Sequence, residues 1–265
     1  MSDFDLAENA LKETLSALGD NLEKLVLVGG WVPYLYVHYL WKTPAADFPL
    51  TTDIDLGVRE TGPLRPSSTV FQRLREAGLA MKRLHPKEAM PVKFIHRNGR
   101  SSVPIDFITS DTVSDDTRNR FLGGELAWSR ITAFELLLEG TVPVEVGLGG
   151  KAFRVHVPSP SRFFFHKGII FSSRNGEFKR AKDLYTFFWG VRFHPDRKSL
   201  LREILSFRDH EFFDYFRDNM LGHLQDVSQP GYLWLRPFLA AWLPEKEMNR
   251  AVEETMAPLI KELER

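Results

Sequence analysis

The chain has 265 residues, room for one large domain or two modest ones, and its 35 Lys plus Arg balance 35 Asp plus Glu to give zero net charge with His neutral. That balance supplies no global attraction to nucleic acid, so only a local patch could provide one. Cysteine is absent, which excludes disulfides, thiolate metal sites and cysteine nucleophiles together.

The opening segment MSDFDLAENALKETL is acidic and helix-like, without the basic start and apolar core of a signal peptide. No apolar run approaches the roughly 20 residues of a membrane span, so a cytoplasmic protein with no membrane partner is expected. Residues 5–19 predict an amphipathic helix, with Leu6, Ala10, Leu11, Leu15 and Leu18 at helical spacing and Gly19 as its stop. KLVLV at 24–28 reads as a short buried strand. After Gly29 and Gly30, the aromatic segment WVPYLYVHYLW predicts a helix to about Trp41, with Pro33 in its first turn. A loop (TPAADFPLT), a strand (DIDLGV) and a polar turn (ETGPLRPSS) follow, then a helix over STVFQRLREAG capped by Ser67 or Ser68. Further strands are expected at 79–84, 91–97 and 103–109, the last two joined as a hairpin through RNGRSS, and another hairpin at 142–157 across GLGG. From Ser159 the pattern is helical: 160–173, 178–190, 197–206, 209–219, 231–242 and 246–262. The 21 phenylalanines cluster in this half, as packed helices require. The expected architecture is α+β: a mixed sheet flanked by helices over 1–158, then a helical domain over 159–265.

Chemistry concentrates in the first domain. Asp53 and Asp55 are two apart, so an extended strand points both carboxylates to one face while Ile54 and Leu56 bury on the other. Like charges held that close call for neutralisation, and a hard divalent cation such as Mg2+, or Mn2+, supplies it. Gly29 and Gly30 offer backbone that a phosphate can approach at a helix start. Asp106, in VPIDFIT, stands alone on a strand whose other face would carry Val103, Ile105, Phe107 and Thr109. A lone aspartate there is costly unless paired or metal-bound. If its strand lies beside the one carrying Asp53 and Asp55, three carboxylates converge, as two-metal transfer from a nucleoside triphosphate requires. The competing reading makes DID a strand-start cap and Asp106 an edge residue.

LVLVGG, TTDIDLGV and PIDFIT, in that order, resemble the nucleotidyltransferase superfamily related to DNA polymerase β, over roughly residues 20–110. The resemblance implies that Asp53 and Asp55 bind metal shared with the triphosphate. It further implies that Asp106 ligates the catalytic metal and helps deprotonate an acceptor hydroxyl, and that Gly29 and Gly30 shape the phosphate-binding turn, beside Thr52. Where the family commonly has serine after the glycines, this chain has Trp31, and its spacing to the acidic pair is long. Both features are similar to the abortive-infection and toxin–antitoxin type of nucleotidyltransferase, which implies a toxin-like role and an antitoxin-like partner.

The second half carries Lys167, Arg174, Lys179, Lys182 and Asp183 on two helices around an RNG turn, similar to a pattern common behind such domains. Lys167 lies in an apolar helix, where an unpaired ammonium is expensive, so it is expected to meet a carboxylate of the site or a nucleotide phosphate, with Lys182 as a second candidate and Asp183 orienting a lysine or arginine. The basic run Arg73, Arg75, Lys82, Arg83, His85, Lys87 reads as a solvated face before it reads as an RNA contact. The histidines lack metal-site spacing, and neither a G-x-S-x-G elbow nor a P-loop is present.

The expected function is Mg2+-dependent transfer of a nucleoside monophosphate to a hydroxyl on tRNA, a protein or a small molecule. The alternatives are a nucleotide- or partner-binding protein of the same fold without turnover, and a metal-dependent phosphohydrolase.

Overall fold

Leucine and alanine at three- and four-residue spacing build the first helix, α1 (Asp3–Leu18), which buries Leu6, Ala10, Leu11, Leu15 and Leu18 on one side. The computed structural model describes residues 3–43, 52–59, 68–84, 91–99, 101–110 and 113–265. Strand β1 (Leu25–Val28) is buried at every position, as its unbroken apolar run requires. Gly29 and Gly30 then turn the chain into α2 (Trp31–Leu35), which loosens into π-helical turns over Tyr36–Trp41. The helix begins at Trp31 and keeps Pro33 within its first turn, where a missing N–H costs nothing.

Strand β2 (Ile54–Val58) precedes α3 (Val70–Glu76), strands β3 (Ala80–Arg83), β4 (Val92–Asn98) and β5 (Ser101–Thr109). The cap of α3 is Thr69, not Ser68: its hydroxyl accepts from Gln72 N–H while the Gln72 side chain accepts from Thr69 N–H, a reciprocal box that Ser68 cannot close. Ser67 falls outside the described residues, as do His85, Lys87, the loop TPAADFPLT after its first residue and the turn ETGPLRPSS before its last. Helix α4 (Asp115–Leu122), strand β6 (Ser129–Arg130) and helix α5 (Glu135–Leu138) occupy a stretch for which the sequence pattern predicts no element. Strands β7 (Val142–Leu148) and β8 (Lys151–Val157) form the expected hairpin, closed by Gly149 and Gly150, both at positive φ.

The strands join one mixed sheet in the order β3-β4-β5-β2-β1-β8-β7, with β6 on β5. Strand β2 runs parallel to β5 and antiparallel to β1, and the β3-β4-β5 wing is antiparallel throughout. With helices on this sheet and an almost purely helical second half, the α+β architecture read from the sequence is the one observed.

The chain divides into two compact units. The first is Met1–Leu35 with Leu50–Pro158 and holds the sheet; the second is Tyr36–Pro49 with Ser159–Arg265. Residues Tyr36–Trp41 thus belong with the helical unit, where Tyr36 packs edge-on against Phe163 and Phe164 and Trp41 stacks on Trp189. That unit contains α6 (Pro160–Ile170), α7 (Glu177–Phe193), α8 (Arg197–Leu205), α9 (Phe213–Leu224), α10 (Pro230–Leu239) and α11 (Glu245–Leu263). Its core is aromatic: Phe163, Phe164, Phe165, Phe187, Phe188 and Trp189 are all buried to within a percent of complete.

Candidate active site

Strand register assembles the site. Asp55 of β2 pairs with Asp106 of parallel β5 on one side and with Val28 of β1 on the other. Paired residues on neighbouring strands share a face, so the two carboxylates project side by side from backbones about 4.8 Å apart. The opposite face carries Ile54, Leu56, Ile105 and Phe107, none more than 1% exposed. These four fix the register, because a slip of one residue would bury the carboxylates and expose the core. Asp55 and Asp106 remain half-buried.

The glycine turn closes against this pair. Gly29 has φ of +71°, and a Cβ built there would overlap the Asp55 carboxylate. Any other residue would be strained and would displace Asp55. Gly30 is half-buried and leads into α2. Trp31 turns away: its indole is fully buried against Phe4 and Tyr34, which leaves only its backbone as a possible phosphate contact. Asp53 lies just before β2 and is exposed, with the Thr52 hydroxyl a long 3.5 Å from its Oδ1.

The sheet adds a residue that the sequence reading missed. Lys93 on β4 reaches across to Asp106, Nζ to Oδ1, at 2.5 Å. Lys82 on β3 stands directly opposite Lys93. Across the open face the order is therefore Lys82, Lys93, Asp106, Asp55. This was countable: Asn98 pairs with Ser101 in a tight hairpin, and counting back along both strands sets residue 93 against residue 106.

In the helical unit, Lys167 donates to Asp183 at 2.5 Å, and Arg174 Nε lies 3.1 Å from the other carboxylate oxygen. Asp183 therefore orients both a lysine and an arginine. Burial pushes its carboxyl up, but the Lys167 ammonium and hydrogen bond, with Arg174 and His166 adding to them, together hold it below the ordinary carboxylate range. Lys182 is the neighbour of Asp183 on α7 and is half-buried; its carbonyl accepts from Thr186.

Among the described residues no group of three or more His, Cys, Asp and Glu side chains is arranged to hold a metal ion. Asp55 and Asp106 provide two oxygen donors with a glycine turn beside them. That set suits Mg2+, which takes one or two carboxylates and completes its shell with water and substrate phosphates.

A family model described as Nucleotidyltransferase matches residues 9–187, more than half of the chain. Among solved structures the chain is similar to an antigenic nucleotidyltransferase-like protein from Paracoccidioides brasiliensis, at 12% identity and a TM-score of 0.39, covering 78% of this chain and 94% of that one. That likeness is too slight to support any argument. No curated protein matches the chain.

Proposed function

The chain belongs to the nucleotidyltransferase family, and on that premise we propose that it moves a nucleoside monophosphate from a nucleoside triphosphate to a hydroxyl acceptor, using Mg2+ or Mn2+. The observation that carries the reading is the in-register pair Asp55–Asp106 with the Gly29 turn seated against Asp55. Asp55 and Asp106 would hold the metal, with Asp53 able to join them from the residue before the strand. A cation bound there would draw charge from the α-phosphate and offset the charge of the departing pyrophosphate. The bare backbone of Gly29 and Gly30 admits the triphosphate. Asp106 orients the acceptor hydroxyl and takes its proton as the oxygen bonds to the α-phosphorus. The bond from that phosphorus to the bridging oxygen breaks, and its electron pair leaves with pyrophosphate. Lys167 is committed to Asp183, so the reading does not depend on it.

The experiment is incubation with each α-phosphate-labelled nucleoside triphosphate, Mg2+ and a cell extract. A labelled RNA, protein or small molecule, formed with pyrophosphate, supports transfer and identifies the acceptor. Phosphate release without a labelled acceptor replaces transfer with hydrolysis. One observation favours a second reading, nucleotide binding without turnover: the ion pair with Lys93 draws on the oxygen that Asp106 would need as a base. Metal-dependent nucleotide binding with neither label transfer nor pyrophosphate would select it.

A further inference from the structure

Lys93 is placed where a cation is needed. Its ammonium sits 2.5 Å from Asp106, whose neighbour in register is Asp55, so a positive charge already occupies one carboxylate of the pair. The two side chains of the ion pair are 38% and 27% exposed, which leaves the bond screened by water and exchangeable. On its other side Lys93 faces Lys82, and two like charges directly opposed on a sheet repel. An anion drawn to Lys82 and Lys93 would relieve that repulsion, and lysine is a common phosphate binder.

We propose that Lys93 is the resident cation of the Asp55–Asp106 pair, that it competes with a divalent metal ion for Asp106, and that a phosphate group arriving at Lys82 and Lys93 frees the carboxylate for the metal. Lys93 is thus a positioning residue: it delays the full metal site until a phosphate group is present at the two lysines. Because binding linkage is reciprocal, bound metal also raises affinity for the phosphate. The inference rests on the proposed role of these aspartates as metal donors.

The test uses Mn2+ alone as the probe, with free ion counted by electron paramagnetic resonance and folding checked by circular dichroism. Lys93→Met is expected to bind Mn2+ about two- to fivefold more tightly than the parent, since the competitor is gone. Lys93→Arg, which keeps a cation there, should match the parent. Lys93→Met combined with Asp106→Asn should lose the gain. A Lys93→Met protein that binds Mn2+ no better than the parent overturns the inference. If the parent with a non-hydrolysable ATP analogue then takes up more Mn2+ than the analogue alone, only the role of Lys93 has failed. If no protein of the set binds Mn2+ with or without the analogue, the metal reading falls and this inference falls with it.

Discussion

Two lysine–aspartate pairs of equal length occupy opposite surroundings. Lys93–Asp106 and Lys167–Asp183 both measure 2.5 Å, yet the first pair lies on an open sheet face and the second is 14% and 7% exposed within the helical unit. Distance is therefore no guide to their roles. Water screens the first and lets it exchange partners, whereas the second has left water and must keep its partner. Arg174 and His166 reinforce Asp183, and the Phe163 ring lies 5.6 Å from the Lys167 ammonium. The exposed pair suits a site that binds and releases ions. The buried pair holds α6 to α7.

The sharpest way to break this contrast is to separate activity from stability. Asp55→Asn should remove several kcal/mol of transition-state stabilisation, about a hundredfold or more in rate, with an unchanged urea midpoint. A large loss of stability would make Asp55 structural instead. Next in size, Asp183→Ala leaves Lys167 and Arg174 without their anion and should cost about 3–5 kcal/mol in urea unfolding, the range for breaking a buried pair. A cost under about 1 kcal/mol would put this pair in the same class as the exposed one.

Acid should sharpen the same comparison. The Asp183 carboxyl titrates lower in the folded chain than in the unfolded one, where it is near 3.9. Its contribution is thus fully present above that unfolded value and is lost as pH falls through the folded one. Urea midpoints of the parent and of Asp183→Asn, measured from pH 7 downward, should hold a constant gap until about pH 4 and then converge. A gap that stays constant to the acid limit would refute the linkage. The smallest effect belongs to Lys93→Met, expected to alter stability by less than about 1 kcal/mol while changing metal affinity.

Much of this was legible because the deciding patterns are local. Alternation in DIDLGV and VPIDFIT assigned the acidic and apolar faces of β2 and β5, and helical spacing found α1 and the aromatic helices of the second half. What escaped depended on register or weak signal. Lys93 became visible only once the hairpin count set it opposite Asp106. Helix α4 is DDTRNRFL, mostly charged and polar, and β6 is two residues long, so neither carries a periodicity to read. The burial of Trp31 depends on Phe4, a neighbour distant in sequence. Serine's absence after the glycines was plain in the sequence, but not that the bulky replacement would leave the turn clear by packing into the core.

The segment Trp31–Trp41 has a practical result for anyone dissecting the molecule. Its opening rings are built into one unit and its closing rings into the other. A fragment ending at Pro158 would keep Tyr36 and Trp41 but strip them of Phe163, Phe164 and Trp189, leaving sticky aromatic surface. The complementary piece would carry a hole where those two rings belong. No single scission of the polypeptide yields two self-sufficient halves.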